Sequence, residues 1–224
     1  MTSELPLFPL GTVLFPGLVM PLHIFEDRYR VLVRNLMALP DGTPREFGVV
    51  AIRQGLEVGA GAEVTLYEVG CTAEVRQVTE HEDGRFDLVT VGRRRFEIAE
   101  IVPEGEPYLR AHVRYLPETG DENGDADRLG PRVLAAFRTY LKLIRTDGAD
   151  IAEQLPEDAQ VLSHLIAATA ALTVEDRQRL LATPDTAGRL RSELALLHRE
   201  IGLLSQVRAV PVSLADLPVK PGPN

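Results

Sequence analysis

A chain of 224 residues, 45% of them hydrophobic, is long enough for one large domain or two small ones with real cores. Its net charge of -9 is spread over both halves: residues 1–117 hold 12 Lys and Arg against 17 Asp and Glu, and residues 118–224 hold 12 against 16. That balance opposes general binding to phosphate backbones, and no run of about 18 apolar residues exists to form a membrane-spanning helix.

The start, MTSELPLFPLG, lacks a basic segment followed by a long apolar stretch, so no secretory leader is expected. The single cysteine, Cys71, rules out an intrachain disulfide and fits a cytoplasmic location. ELPLFPL and GLVMPLHIF read as strands, and Pro6, Pro9, Pro16 and Pro21 place edges, bends or bulges in them, because proline cannot donate to a ladder. Phe25, Tyr29, Leu32, Leu36 and Leu39 then recur at spacings of 4, 3, 4 and 3, the core-facing stripe of a helix. Glu26 and Asp27 fall in its first turn, where carboxylates suit the helix dipole. The charge cluster in HIFEDRYR is therefore read as a helix entrance and not as an active site.

EFGVVAI is a short buried strand. VGCTAEVRQVTEH alternates, EDGR supplies a tight turn, and FDLVTVG returns. RRFEIAEIV and YLRAHVRYL read as two further strands, which gives about six strands and one helix over residues 1–117, a twisted β-rich domain or small barrel. Residues 118–127, within PETGDENGDAD, are polar and acidic and read as a linker. Residues 128–208 read as four helices, the first starting near Pro131. Thr173 is expected to cap the third, and Thr183 the long fourth, along which Leu190, Leu194, Leu197, Ile201 and Leu204 form a seam. The Pro-rich stretch 209–224 reads as a tail.

No motif for chemistry stands out. A phosphate-binding glycine loop, a metal-protease helix, a cysteine pair, clustered histidines and a nucleophile elbow are all missing, so no catalytic residue, no metal ligand and no cofactor is expected. Cys71 sits on an alternating strand as a small core residue. His23 lies at the end of a strand with no partner histidine nearby in sequence, and His81-Glu82-Asp83 at a hairpin tip is read as solvated. GRRRF is the only basic run; alternation would split its arginines between faces and turn Phe96 to the core.

LPLFPLGTVLFPGLVMPLHIFEDRYR, YEVGCTAEVRQV, DGRFDLVTVGRRRFEI and YLRAHVRYL, with LTVEDRQRLLATPDTAGRLRSELALLHREIGLL, resemble the N-terminal, substrate-binding domain of Lon-type ATP-dependent proteases. The resemblance runs from about Leu5 to about Val207. It implies an α+β fold: a PUA-like β pseudo-barrel followed by an α-helical bundle with a long final helix. It also implies a stand-alone, non-catalytic form that binds unfolded or flexible polypeptide, with a protease or chaperone as a possible partner. The family's ATPase and peptidase motifs are not seen here. Phe15, Met20, His23, Phe25 and Tyr29 are the first candidates for a peptide groove. The competing readings are a peptidase-associated activity, which lacks a nucleophile–base pair, and an RNA-binding PUA-like module, which would need a basic face at Arg93–Arg95.

Overall fold

The computed structural model describes residues 2–55, 65–102, 105–119, 124–144 and 155–209. Among the described residues seven strands and five helices follow in the order β1 (Ser3–Leu10), β2 (Val19–Ile24), α1 (Asp27–Met37), β3 (Glu46–Gln54), β4 (Thr65–Leu66), β5 (Val69–Glu80), β6 (Phe86–Val102), β7 (Arg110–Leu116), α2 (Asp125–Ile144), α3 (Ala159–Thr169), α4 (Val174–Ala182) and α5 (Thr186–Ala209). The α+β class and the long final helix agree with the sequence reading.

The sheet closes on itself. Its order is β1-β7-β6-β5-β3, and β3 returns to β1 through a parallel pairing that matches Leu7 with Gly48 and Leu10 with Ala51. The first half of β1 pairs with β7 and the second half with β3, so each half keeps a side without a strand partner among the described residues. Pro6 and Pro9 are tolerated there, because a missing N–H is harmless on an unpaired edge. Among the described residues β2 pairs only with β6, which gives Pro21 the same freedom.

FDLVTVG and RRFEIAEIV, expected as separate strands, are one 17-residue strand, β6. Its first half pairs with β2 and its second half with β7, while β5 runs along its other side. The change of partner comes at Gly92, whose N–H donates to the Leu18 carbonyl and whose carbonyl accepts from the Gly17 N–H. A side chain at Gly92 would meet the Phe15 carbonyl oxygen at 2.1 Å, so only glycine lets the chain pass so closely. An apolar run that changes partner without a break looks like two strands in sequence.

Three apolar clusters form among the described residues. Leu5, Leu7, Val50, Phe96, Ala111 and Val113 form one, with Phe96 fully buried as expected. A larger one joins Phe8, Phe15, Tyr29, Leu32 and Phe47 to Ala167, Leu180 and Leu181 of the helical part. The third lies among α2, α3 and α5 and includes Phe137, Tyr140, Leu190 and Leu197. Leu194, Ile201 and Leu204 pack against it, so the expected α5 seam is realised.

Helix ends follow the sequence in part. The Thr173 side chain accepts from the Asp176 N–H at 3.1 Å. Thr183 instead closes α4, its hydroxyl donating to the Arg179 carbonyl, and Asp185 accepts from the Gly188 N–H at the start of α5. Asp is the stronger cap and stands one residue before the helix. α2 starts at Asp125, and Pro131 lies inside it. Within the 118–127 stretch, Asp125–Asp127 thus belong to the first turn of α2, Thr119 bridges to Asp185, and 120–123 lie outside the described residues. The tail beyond 209 also lies outside them.

Candidate functional site

The five expected groove residues separate into two groups. Phe15 is fully buried in the large core cluster, and Met20 is packed against it, so neither reaches the surface groove that forms here. His23, Phe25 and Tyr29 do come together. They line a groove of about 220 Å3 with Phe8, Leu10 and Leu22 among its other walls. Tyr29 forms its buried floor, its ring 4.0 Å from that of Phe8.

Phe25 departs from the helical stripe assigned to it. α1 begins at Asp27 with Glu26 at the cap position in extended backbone, so Phe25 precedes the helix and is 51% exposed. The helical period cannot carry a residue that lies outside the helix. Its ring stacks beside that of His23, with centroids 6.3 Å apart. Arg28 sits over the Tyr29 ring at 4.6 Å and pairs with Glu26. Val19, at the other end of β2, is 62% exposed.

The polar rim of the groove was not legible in sequence. β2–β6 pairing sets His23 opposite Asp87, 64 residues away, and the β5–β6 hairpin brings back His81. His23 Nδ1 lies 2.6 Å from one Asp87 oxygen and His81 Nε2 lies 2.7 Å from the other. These hydrogen bonds, that of His23 first, hold the Asp87 carboxyl below its usual range. Arg85, anchored on Asp83, reaches to 3.3 Å from His23 Nε2. Arg30 ties the hairpin tip to α1 by donating to the Gly84 carbonyl at 2.8 Å and pairing with Asp27. His23 thus has a partner histidine, contrary to the sequence reading. His81 does lie at the hairpin tip, but it is engaged with Asp87.

A second cleft, about 420 Å3, lies further along α1 between Leu32, Leu36 and Leu39 and the rings of Tyr108 and Tyr115. It contains none of the five expected residues.

The basic run does not form a free cationic face. Arg93 pairs with Glu74, and Arg94 pairs with Glu46 while lying 3.8 Å over the Tyr115 ring. Arg95 is buried. It donates to the carbonyls of Leu181, Thr183, Pro117 and Pro184 and pairs with Glu118 at 3.0 Å. Burial pushes its guanidinium pKa down, Glu118 opposes that, and the nearby Arg189 adds to it. Arg189, fully buried, shares Glu118 and donates to Ser163. These two arginines lock β6 and the end of β7 to the α4–α5 junction.

The sequence matches the family described as the ATP-dependent protease La (LON) substrate-binding domain over residues 4–199. The chain belongs to this family. It is 30% identical over 205 residues to Lon protease 2 of Myxococcus xanthus, covering 89% of this chain and 24% of that protein. It is also 30% identical over 213 residues to a Lon protease of Anaeromyxobacter dehalogenans, again covering 24% of the relative. The chain therefore spans about a quarter of the length of these Lon proteases. Among solved structures it resembles the Lon N-terminal domain protein from Xanthomonas campestris, with a TM-score of 0.60 and 25% identity over 86% of this chain and 98% of that one. The N-terminal domain of the Mycobacterium avium complex Lon protease shares the fold at a TM-score of 0.64 and 20% identity, covering 89% and 98%. Seen as a Lon substrate-binding domain, the chain has a barrel groove at β2 and α1 and a helical part fastened to the barrel by Arg95 and Arg189.

Proposed function

We propose that this Lon substrate-binding domain holds flexible polypeptide without transforming it, and serves proteolysis or protein quality control through a protease or chaperone partner. The carrying observation is the groove at the β2–α1 junction, where the half-exposed Phe25 and His23 stand over a buried floor of Tyr29. An extended peptide could add to an unpaired strand edge, but Pro9 and Pro21 withdraw donors from the two strands that wall the groove. Contacts then fall mainly to apolar side chains. A shallow apolar site must also offset the ordering of a flexible ligand, so binding is weak, in the micromolar range or poorer, about -8 kcal/mol or less favourable.

Titration of labelled unfolded casein by fluorescence anisotropy tests this. Binding should appear at micromolar protein and change little between low and moderate salt. Phe25→Asp should weaken it by about tenfold, since about 1.4 kcal/mol is within the transfer energy of one aromatic side chain. Phe25 is exposed, so the variant should remain folded. No binding at high micromolar protein would sink the proposal, and an undiminished affinity in Phe25→Asp would move the site elsewhere, with the cleft near Tyr108 next in line.

A further inference from the structure

The cluster His23, His81 and Asp87 has a second chemical capacity. Each residue offers one ligand atom, and these atoms lie within 4.8 Å of one another. Two imidazoles and a carboxylate are a donor set for borderline divalent transition metals, above all zinc, with a fourth position left to water. We propose that His23 Nδ1, His81 Nε2 and one Asp87 oxygen bind a divalent transition-metal ion.

The geometry is close to what such an ion needs. Zinc–nitrogen and zinc–oxygen bonds of about 2.0–2.2 Å in a tetrahedron set ligand atoms about 3.3 Å apart. The two Asp87 contacts, at 2.6 and 2.7 Å, need only open slightly. All three side chains are 40–51% exposed, so rotation about their side-chain bonds suffices and no core packing must change. The three ligands come from β2, the start of the β5–β6 turn and the start of β6: ladder register pairs His23 with Asp87, and His81 directly follows Glu80, the last β5 residue paired with β6. The backbone is therefore fixed before any ion arrives.

The environment also predicts what opposes binding. While His23 Nδ1 donates to Asp87, its Nε2 is free to accept from Arg85, 3.3 Å away. A metal on Nδ1 transfers the ring proton to Nε2, where it faces the Arg85 guanidinium. Arg85 must then swing out, and it is half exposed. Bound metal would cross-link β2 to the hairpin tip and fix His23 at the rim of the groove.

The test uses the untagged full chain with Zn2+ in isothermal titration calorimetry and Co2+ in visible absorption. The expected result is saturable 1:1 binding, a ligand-field spectrum of tetrahedral Co2+, and a rise in melting temperature with Zn2+. His23→Ala, His81→Ala and Asp87→Ala should each lower the affinity by at least about tenfold. His198→Ala, an exposed histidine on α5, should not change it. Arg85→Ala should tighten it, and an unchanged or weaker affinity there would overturn the assignment of His23 Nδ1. Absence of Zn2+ binding, or binding that Asp87→Ala leaves intact in a folded protein, would overturn the site. Casein binding by the wild-type protein does not enter this test.

Discussion

Replacing Arg95 by methionine should cost this protein far more than replacing its neighbour Arg94, although each forms an ion pair with a glutamate. Arg95 is 3% exposed and donates to four carbonyls at 2.5–3.1 Å besides Glu118. Methionine keeps much of the volume and removes every donor. Hydrogen bonds to a charged group contribute about 1.5–3 kcal/mol each, so a plain sum over the four would overshoot. Two corrections reduce it. Glu118 keeps Arg189 as a partner, so no uncompensated negative charge remains, and the repulsion between the two guanidiniums disappears. Three of the four carbonyl bonds are also only partly buried, and water can replace them. What remains is about 3–5 kcal/mol: about 1–3 kcal/mol for the buried Leu181 carbonyl left without its donor, and the rest for the three partly buried bonds to a charged donor, discounted for the water that replaces them. For a chain of this size that corresponds to a fall in melting temperature of roughly 6–20 °C. Arg94 is 53% exposed at its side chain, and its surface pair with Glu46 is worth about 0–1 kcal/mol, to which stacking on Tyr115 adds about 0.5–1 kcal/mol. Circular dichroism melts of Arg95→Met and Arg94→Met, side by side, decide the matter. If the two variants melt within 2 °C of each other, the reading of Arg95 as the fastening between barrel and helices is refuted.

Two further outcomes follow from buried titratable groups. Burial pushes the Cys71 thiol up to about 12, so a thiol reagent at pH 8 should leave the native protein unlabelled and react only on addition of denaturant; fast native labelling would show that β5 is not buried as described. His164, buried between the cations of Arg189 and Arg95, is pushed down to about 3, first by burial. The folded state stays neutral while the unfolded histidine takes up a proton below about 6.5, so stability falls with acidification, by about 2 kcal/mol between pH 7 and 5. The buried Glu193 carboxyl, raised well above its usual range, works in the opposite sense and is common to both proteins in the comparison. His164→Leu should therefore show a shallower decline of stability over that window in urea titrations, and identical slopes would contradict the assignment.

Local rules were enough for most elements and failed where a partner distant in sequence decided. The Tyr29, Leu32 and Leu36 part of the α1 stripe, the Thr173 cap and the α5 seam rest on contacts within a turn or two and are present, while Phe25 and Leu39 fall just outside the helix. β6 was split in two because its change of partner at Gly92 is set by Phe15 and Leu18, more than seventy residues earlier. The capping of α5 was misplaced by two residues because Thr183 and Asp185 are both good caps, and only the exit direction of α4 assigns Thr183 to the helix before it. Glu118 reads as one acid in a polar stretch, whereas two buried arginines converge on it.

The candidate site shows the same division at closer range. Hydrophobicity marked Phe15, Met20, Phe25 and Tyr29 alike, but apolar character does not say which side of a wall a residue takes. Phe15 meets Gly92 and turns inward; Tyr29 lies on the inner face of α1; Phe25, one step before the cap, has no inner face to join and is left half exposed. The polar rim needed more still. His23, His81 and Asp87 are unremarkable one by one, and each sits on a different segment. A β2–β6 ladder in this one register turns them toward each other, since a shift of a single residue would carry His23 and Asp87 out of opposition. The register is held by the buried end pair Ile24 and Phe86, so the rim chemistry depends on apolar packing at its edge. A sequence reader therefore gains more here from working out which strands lie opposite one another than from searching for spaced ligands within one segment.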